Sequence, residues 1–117
     1  QMNVRKFFQS FRYAMEGILT ALKEQNFKFH LVSAIIVILA GLLTGLTAVE
    51  WSIILMVIFL VIGAELINTA IERVVDLASP EFHPIAKQAK DVAAGAVLVF
   101  ALASVIIGLL IFLPKWF

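Results

Sequence analysis

The chain has no cysteine in its 117 residues. This absence excludes a disulfide framework, a thiolate nucleophile and a zinc site with cysteine ligands. Charge is also scarce, because only 15% of the residues are charged and the net charge is +1. Nucleic-acid-binding domains usually carry a strongly basic face, so no nucleic-acid partner is expected.

The common nucleotide-binding loops are missing as well. The sequence contains neither the Gly-x-x-x-x-Gly-Lys-Ser/Thr phosphate loop nor the glycine-rich loop and His-Arg-Asp set of protein kinases. Any nucleotide that this chain binds is therefore held by a different arrangement of residues.

Apolar residues are abundant instead. They make up 62% of the chain, against roughly 45–50% in ordinary soluble domains. Three runs carry no charge, at 31–49, 51–64 and 92–113, and the helical pattern of the second run continues to about residue 77. Because about 20 apolar residues cross a bilayer core of roughly 30 Å as a helix, the sequence predicts an all-α integral membrane protein with three transmembrane helices.

The segment before these runs has a different pattern. Its apolar residues, among them Val4, Phe7 and Phe11, recur at three- and four-residue spacing, with Arg5 and Arg12 on the other face. This periodicity predicts an amphipathic helix that lies on the membrane surface. The predicted single domain, 1–117, thus comprises an interfacial helix at about 4–27, transmembrane helices at 29–48, 50–77 and 85–113, and a cytoplasmic loop at 78–84.

The basic residues are distributed unevenly about these helices. Only Lys115 falls at the outer end, after the last transmembrane helix. The first long apolar run begins near residue 31, a position that does not fit a cleaved secretory signal. By the positive-inside rule, the side with most basic residues faces the cytoplasm. That side carries eight of the nine basic residues, namely Arg5, Lys6, Arg12, Lys23, Lys28, Arg73, Lys87 and Lys90.

A polar stripe interrupts the second transmembrane helix. Glu65, Asn68, Glu72 and Asp76 fall within an arc of about 80° on one helix face, and carboxylates at membrane depth are costly enough to indicate a functional site. Carboxylate oxygens suit Mg²⁺, a carboxylate in apolar surroundings suits a general base, and nearby lysines such as Lys90 suit phosphate oxygens. The pattern favours phosphoryl transfer to a lipid alcohol, and the residues alone leave open whether Glu65 or Asp76 is the base.

The same residues carry a family resemblance. The spacing Glu65-x-x-Asn68-x-x-x-Glu72-x-x-x-Asp76, followed by Glu-Phe-His at 81–83 and Ala-Lys-Asp at 89–91, closely resembles the prokaryotic diacylglycerol kinase family. The likeness runs from about residue 13 to the end of the third transmembrane helix. It implies a homotrimer in the bacterial cytoplasmic membrane, with active sites on the cytoplasmic side that draw on neighbouring chains.

The resemblance also implies roles for single residues. Glu65 is then the general base for the lipid hydroxyl, with Asn68 orienting the stripe. Glu24 and Glu72 hold the Mg²⁺ of MgATP, which is the co-substrate. The implied nucleotide-binding residues are Tyr13, Glu24, Glu72, Glu81, Phe82, His83, Lys90 and Asp91, of which Lys90 binds the phosphates and Asp91 places Lys90.

One segment of the sequence bears on which lipid is the substrate. The segment from Glu24 to His30 is similar to the Gram-positive branch of the family, whose members favour undecaprenol, so the expected product is undecaprenyl phosphate. The alternative is a diacylglycerol kinase that makes phosphatidic acid. Two other classes stay open from the residues alone: a small oligomeric proton or cation transporter with a carboxylate relay, and a membrane-anchored partner protein without enzymatic activity. His30 itself is interpreted as an interface residue at the start of the first transmembrane helix.

Overall fold

The protein is described here by a computed structural model that covers residues 3–117, so Gln1 and Met2 of the predicted domain lie outside the described residues. Three of its helices are long and apolar enough to cross a membrane, as predicted: the second, third and fourth. In chain order the helices are α1 (Val4–Ala21), α2 (Gln25–Thr44), α3 (Ala48–Ala78) and α4 (Pro84–Trp116).

The first boundary differs from the sequence prediction of one helix over 4–27. Helix α1 ends at Ala21, where Lys23 donates to the carbonyl of Thr20 and Glu24 to that of Ala21 in a tight turn. Helix α2 then begins at Gln25, four residues before the predicted start of the first transmembrane helix. The turn at 22–24 contains neither proline nor glycine, so no helix-breaking residue in the sequence revealed the break.

The turn between α2 and α3 follows from its residues. Helix α2 ends at Thr44 rather than at the predicted residue 48, because Gly45 adopts a φ of 82°, a conformation that glycine tolerates best. Thr47 and Glu50 then form a capping box in which the Thr47 amide donates to Glu50 Oε1 (2.9 Å) and the Glu50 amide to Thr47 Oγ1 (3.2 Å). Helix α3 therefore starts two residues before the predicted 50.

Three prolines and a histidine lie at the end of α3 and at the two ends of α4. Pro80 follows Ser79, the residue after the last turn of α3, and a proline there prevents the helix from continuing. His83 Nδ1 accepts the Ile85 amide at 3.1 Å, and Pro84 takes the first helical position, where its missing N–H costs nothing. Helix α4 runs to Trp116, past the predicted end at 113, because Pro114 removes only one hydrogen bond near the terminus.

Helix α3 is the central element. It packs most extensively against α4 and also contacts α2 and α1. Most large apolar side chains nevertheless point outward, as Leu43, Phe59 and Leu110 do. Exposed apolar surface on this scale is typical of a membrane or subunit contact. The buried apolar residues of the described chain are Ala21, Phe27, Ala34, Ile54, Val61, Ala93, Val97 and Phe112.

The helix ends far from the polar stripe are tied together. A Cβ at Gly41 would lie 2.7 Å from the Trp51 ring, so glycine is what allows α2 to approach α3 there. Trp116 Nε1 donates to Thr44 Oγ1 at 2.8 Å, and Lys115 pairs with Glu50 at 3.0 Å. These contacts hold α2, α3 and α4 at this end, which leaves the opposite end to build the site.

Candidate active site

Three polar residues of α3 are buried inside the chain: Glu65, Asn68 and Thr69, each less than a tenth exposed. Thr69 is accounted for by its own helix, because its hydroxyl donates to the Glu65 carbonyl at 3.0 Å. The Asn68 amide oxygen, in contrast, has no such bond among the described residues, and the Glu65 carboxylate faces His30 of α2. Their burial in a mostly apolar molecule marks them as the centre of a site.

Asn68 connects Glu65 to the next turn of the helix. Its Nδ2 donates to Glu72 Oε1 at 2.8 Å, which holds that carboxylate against α3. Its Oδ1 is buried and has no hydrogen-bond partner among the described residues. Because buried amide oxygens are nearly always bonded, this atom is available to a ligand, a metal ion or a donor from another chain.

His30 brings α2 to the same point. Its Nε2 lies 3.8 Å from Glu65 Oε2, with side-chain exposures of 16% for His30 and 4% for Glu65. The interpretation of His30 as an interface residue missed this contact. No spacing rule could have found it, since the two residues lie on different helices and 35 positions apart in the sequence.

Glu24 approaches α3 from the turn before α2. Arg73 donates to its Oε1 at 3.0 Å, and both side chains are about half exposed. Glu24, Glu72 and His30 all lie close enough to act electrostatically on the Glu65 carboxyl group. We call Glu24, His30, Glu65, Asn68 and Glu72 the carboxylate cluster.

A second group surrounds the loop between α3 and α4. Asp76 forms an ion pair with Lys90, so the last member of the polar stripe reaches across to α4. Glu81, Phe82 and His83 line the same depression, which measures about 240 Å³. We call this group, with Lys87 and Asp91, the loop cluster.

One expected pairing differs in the structure. Asp91 was expected to place Lys90, but it pairs with Lys87 at 2.6 Å. The reason is helical geometry, because residues four apart share a face whereas adjacent residues point about 100° apart. Lys90 is oriented by Asp76 instead.

Tyr13 stands apart from the other candidates. It is more than half exposed on α1, where the Arg12 guanidinium lies 5.7 Å from the centre of its ring. No hydrogen bond or ion pair among residues 3–117 joins it to either cluster. Within one chain, the structure therefore brings together all predicted site residues except Tyr13, in two adjacent groups.

The two clusters share α3, and burial decreases along it. Glu65 and Asn68 are buried, Glu72 is half-buried and Asp76 is exposed. Asp76 lies one turn beyond Glu72, a rise of about 6 Å. A molecule in the membrane can thus approach one end of the stripe while a water-soluble one approaches the other.

An apolar groove leads away from the carboxylate cluster between α3 and α4. It measures about 290 Å³ and includes Gly63, Ala64 and Ala96 among its small lining residues. Asn68 is the one polar side chain in its lining, at the end nearest the cluster. The groove therefore offers an apolar chain a path that ends beside a buried polar group.

The donor atoms fit a metal ion that arrives with its ligand. Across residues 3–117, no group of three His, Cys, Asp or Glu side chains is placed to hold a metal. Mg²⁺ commonly takes only one or two protein carboxylates and completes its shell with water and substrate phosphates. Glu24, Glu72 and the unpartnered Asn68 Oδ1 are ligands of the required kind.

Comparison with known proteins decides the family. Residues 12–112 match the family model described as prokaryotic diacylglycerol kinase. The chain belongs to this family. It is a lipid kinase, an enzyme of the membrane that transfers a phosphoryl group from ATP to a lipid. The resemblance seen in the sequence is thereby confirmed, and the transporter and partner-protein alternatives are set aside.

Individual relatives span both branches of the family. The chain is 54% identical to the undecaprenol kinase of Bacillus subtilis, over 96% of this chain and 92% of that protein. It is 45% identical to the diacylglycerol kinase of Synechocystis, over 90% and 61% respectively. It is 33% identical to the diacylglycerol kinase of Helicobacter pylori, over 81% and 75%.

Proposed function

We propose that this lipid kinase phosphorylates the hydroxyl group of undecaprenol, with MgATP as the donor, and releases undecaprenyl phosphate and ADP. The observation that carries the chemistry is the buried Glu65 carboxylate, about one helical turn from Asn68, the polar residue that lines an apolar groove. The similarity to an undecaprenol kinase over nearly the whole of both chains supports the choice of lipid.

Glu65 acts as the general base in this proposal. The lipid tail lies along the α3–α4 groove, which brings the terminal hydroxyl to Asn68, about one turn of α3 from Glu65. The hydroxyl proton moves to the Glu65 carboxylate while the oxygen attacks the γ-phosphorus in line with the departing ADP. Placing the reactants in this geometry supplies much of the rate enhancement.

The nucleotide binds from the water side of the stripe. Glu24 and Glu72 would hold the Mg²⁺ that arrives with ATP, and Asn68 keeps Glu72 in place through its hydrogen bond. Mg²⁺ held by these residues would supply the positive charge that neutralises the phosphates. Lys90 leaves its ion pair with Asp76 and binds phosphate oxygens of ATP. Asp91 pairs with Lys87 and acts on this site only through that lysine.

The remaining nucleotide contacts come from the loop and from α1. Glu81, Phe82 and His83 line the depression beside Lys90. Tyr13 joins them from α1 of a neighbouring chain, which would explain why it stands apart from both clusters within one chain. Its exposure on α1 supports this assignment.

The assembly in this proposal is a homotrimer in the bacterial plasma membrane. Helix α1 lies on the cytoplasmic surface with Phe7, Phe8 and Phe11 towards the lipid, since these residues are exposed in the single chain. Its basic residues and those of the loop cluster favour the cytoplasmic side for the active site. Contacts between chains would cover part of the exposed apolar surface of α3 and α4.

The second candidate substrate is diacylglycerol, which would yield phosphatidic acid. It is favoured by the relatives from Synechocystis and Helicobacter pylori, both named as diacylglycerol kinases. The same base and the same MgATP site would serve it, so the two candidates differ only in what occupies the groove.

The deciding experiment follows the label from γ-labelled MgATP. The purified protein in detergent micelles is given undecaprenol or diacylglycerol separately, with Glu65→Gln run in parallel. We expect stronger labelling of undecaprenol by the wild type and a loss of at least about 100-fold in the variant. Preferred labelling of diacylglycerol would select the second candidate, and an active Glu65→Gln would remove Glu65 as the base.

A further inference from the structure

We propose that Gly63 is a specificity-determining residue of this kinase: the open space beside its α-carbon takes a methyl branch of the polyprenol chain, which favours a branched lipid over a straight one. The inference rests on the proposed function, because it concerns the lipid that lies in the α3–α4 groove. It goes further by naming the residue of the groove wall that distinguishes the two candidate lipids.

The middle of the groove is built from small residues. Gly63 and Ala64 lie on the α3 wall and Ala96 on the α4 wall. The lining of α3 begins at Phe59, nine residues before Asn68, which corresponds to a rise of about 14 Å. A polyprenol is much longer than this, so the groove holds only the part of the chain next to the hydroxyl, and the rest stays in the bilayer.

Gly63 adds an open space to this wall. A Cβ built on it would meet no packed neighbour within 4 Å in the part of the chain that the structure describes. Gly41 is the opposite case, because a Cβ there would lie 2.7 Å from the Trp51 ring. Among the glycines with such open space, Gly63 is the one that lines the groove. Packing within the chain does not use this space, so it is available to a ligand.

The depth of Gly63 places this space close to the reacting end of the lipid. Gly63 lies five residues from Asn68 along α3, a rise of about 7.5 Å. An extended chain advances roughly 3.5 Å for every three bonds, so about six bonds of a lipid span the two levels. Each isoprene unit of a polyprenol carries a methyl branch. A branch therefore reaches the level of Gly63 when the hydroxyl lies beside Asn68.

The polar content of the groove also favours a polyprenol. Asn68 is the one polar side chain in its lining, and the buried Oδ1 of that amide has no partner among the described residues. A polyprenol brings a single polar group, its terminal hydroxyl, to this end. Diacylglycerol brings ester groups as well, and polar groups buried without donors are costly. Its acyl chains are also straight, so they gain nothing from the space at Gly63.

A helix of a neighbouring chain is the other occupant that an apolar groove of this kind accepts. The lipid is favoured because the chain belongs to a family of lipid kinases, whose substrate has to reach the site from the membrane. The groove is an apolar path that ends about one turn of α3 from Glu65. A helix packed along it would close that path.

The first test measures kcat and KM for undecaprenol and for diacylglycerol in detergent micelles. One methylene more or less in an apolar pocket changes kcat/KM by about 10- to 200-fold. We expect Gly63→Leu to lower kcat/KM for undecaprenol at least about tenfold, mainly through KM, and Gly63→Ala to have a smaller effect in the same direction. KM for MgATP and kcat/KM for diacylglycerol should stay close to the wild type.

Gly95→Leu is the matched control. A Cβ on Gly95 of α4 likewise meets no packed neighbour within 4 Å among residues 3–117, but Gly95 does not line the groove. Its kinetics should match the wild type. Ala96→Leu narrows the groove from the α4 wall and should reproduce the effect of Gly63→Leu. An unchanged lipid preference in Gly63→Leu and Ala96→Leu, or an equal loss with both lipids, would overturn the proposal.

A second test does not depend on turnover. Native mass spectrometry counts the chains and the bound undecaprenol molecules per particle for Glu65→Gln, with and without Gly63→Leu. We expect the same number of chains and less bound undecaprenol in the double variant. A changed number of chains would assign the groove to a contact between subunits and overturn the proposal.

The failure of this inference can be told from that of the proposed function. If the wild type labels only diacylglycerol, the proposed substrate is wrong, and the role of Gly63 falls with it. If the wild type prefers undecaprenol and Gly63→Leu keeps that preference, only the role of Gly63 is wrong.

Discussion

Asn68 and Glu72 illustrate how single side chains divide the work of the site. The amide of Asn68 binds Glu72 through its nitrogen, and its oxygen has no partner among the described residues, while Glu72 keeps one oxygen outside that bond. Both free oxygens are ligands that Mg²⁺ prefers. The metal role proposed for Glu72 therefore has a direct consequence for the Mg²⁺ requirement.

Glu72→Gln should raise the Mg²⁺ concentration needed for half-maximal activity by roughly tenfold, because it removes one negative ligand from a site that has few. The measurement is the initial rate of lipid phosphorylation against free Mg²⁺ at a fixed ATP concentration. Glu16→Gln is the control, since Glu16 pairs with Arg12 on the exposed face of α1. An unchanged Mg²⁺ dependence in Glu72→Gln would contradict the metal role.

At the end of the molecule away from the site, the close packing of α2 against α3 depends on a glycine. Gly41 lies against the Trp51 ring, and a side chain there would collide with it. Gly108 on α4 has no atom within 4 Å of a substituted Cβ. The two glycines thus offer the same substitution in a crowded and in an open setting.

We expect Gly41→Ala to destabilise the protein by about 1–3 kcal/mol, because overpacking at Trp51 outweighs the better helix propensity of alanine. Gly108→Ala should be neutral or stabilising by up to about 1 kcal/mol. Unfolding in a detergent–denaturant titration would measure both. Equal stability of the two variants would show that α2 and α3 do not meet closely at Gly41.

For the molecule as a whole, the proposal requires more than one chain. A single chain leaves Tyr13 away from both clusters and leaves much of the apolar surface of α3 and α4 exposed. If Tyr13 of one chain completes the site built on Glu65 of another, two inactive variants can rescue each other. If every site belongs to one chain, they cannot.

Tyr13→Ala and Glu65→Gln, co-assembled in equal amounts, should therefore regain activity, since about a quarter of the sites in randomly mixed trimers would contain both native residues. The control mixture combines Glu65→Gln with Glu65→Ala, which alter the same residue and cannot complement each other, and should stay inactive. Native mass spectrometry of each mixture would verify three chains per particle. A lack of rescue in verified mixed trimers would contradict the shared site.

Helix boundaries show where sequence periodicity succeeds and where it stops. The uncharged runs predicted three membrane-spanning helices, because a bilayer requires a minimum apolar length that composition alone reveals. The break after Ala21 escaped prediction, because the turn at 22–24 contains neither proline nor glycine to mark it in the sequence. The last transmembrane helix was predicted to end at 113, but α4 continues through Pro114 to Trp116, because a proline near a helix terminus removes only one hydrogen bond.

The polar stripe and the family were readable from the sequence alone, because a carboxylate at membrane depth is costly and because helical spacing places residues 65, 68, 72 and 76 on one face. The partners of that stripe were decided only by the tertiary structure. His30 meets Glu65, Arg73 meets Glu24 and Lys90 meets Asp76 through the packing of separate elements. Contacts between helices depend on how the chain turns at residues 22–24, 45–47 and 79–83, and no one-dimensional spacing records that geometry.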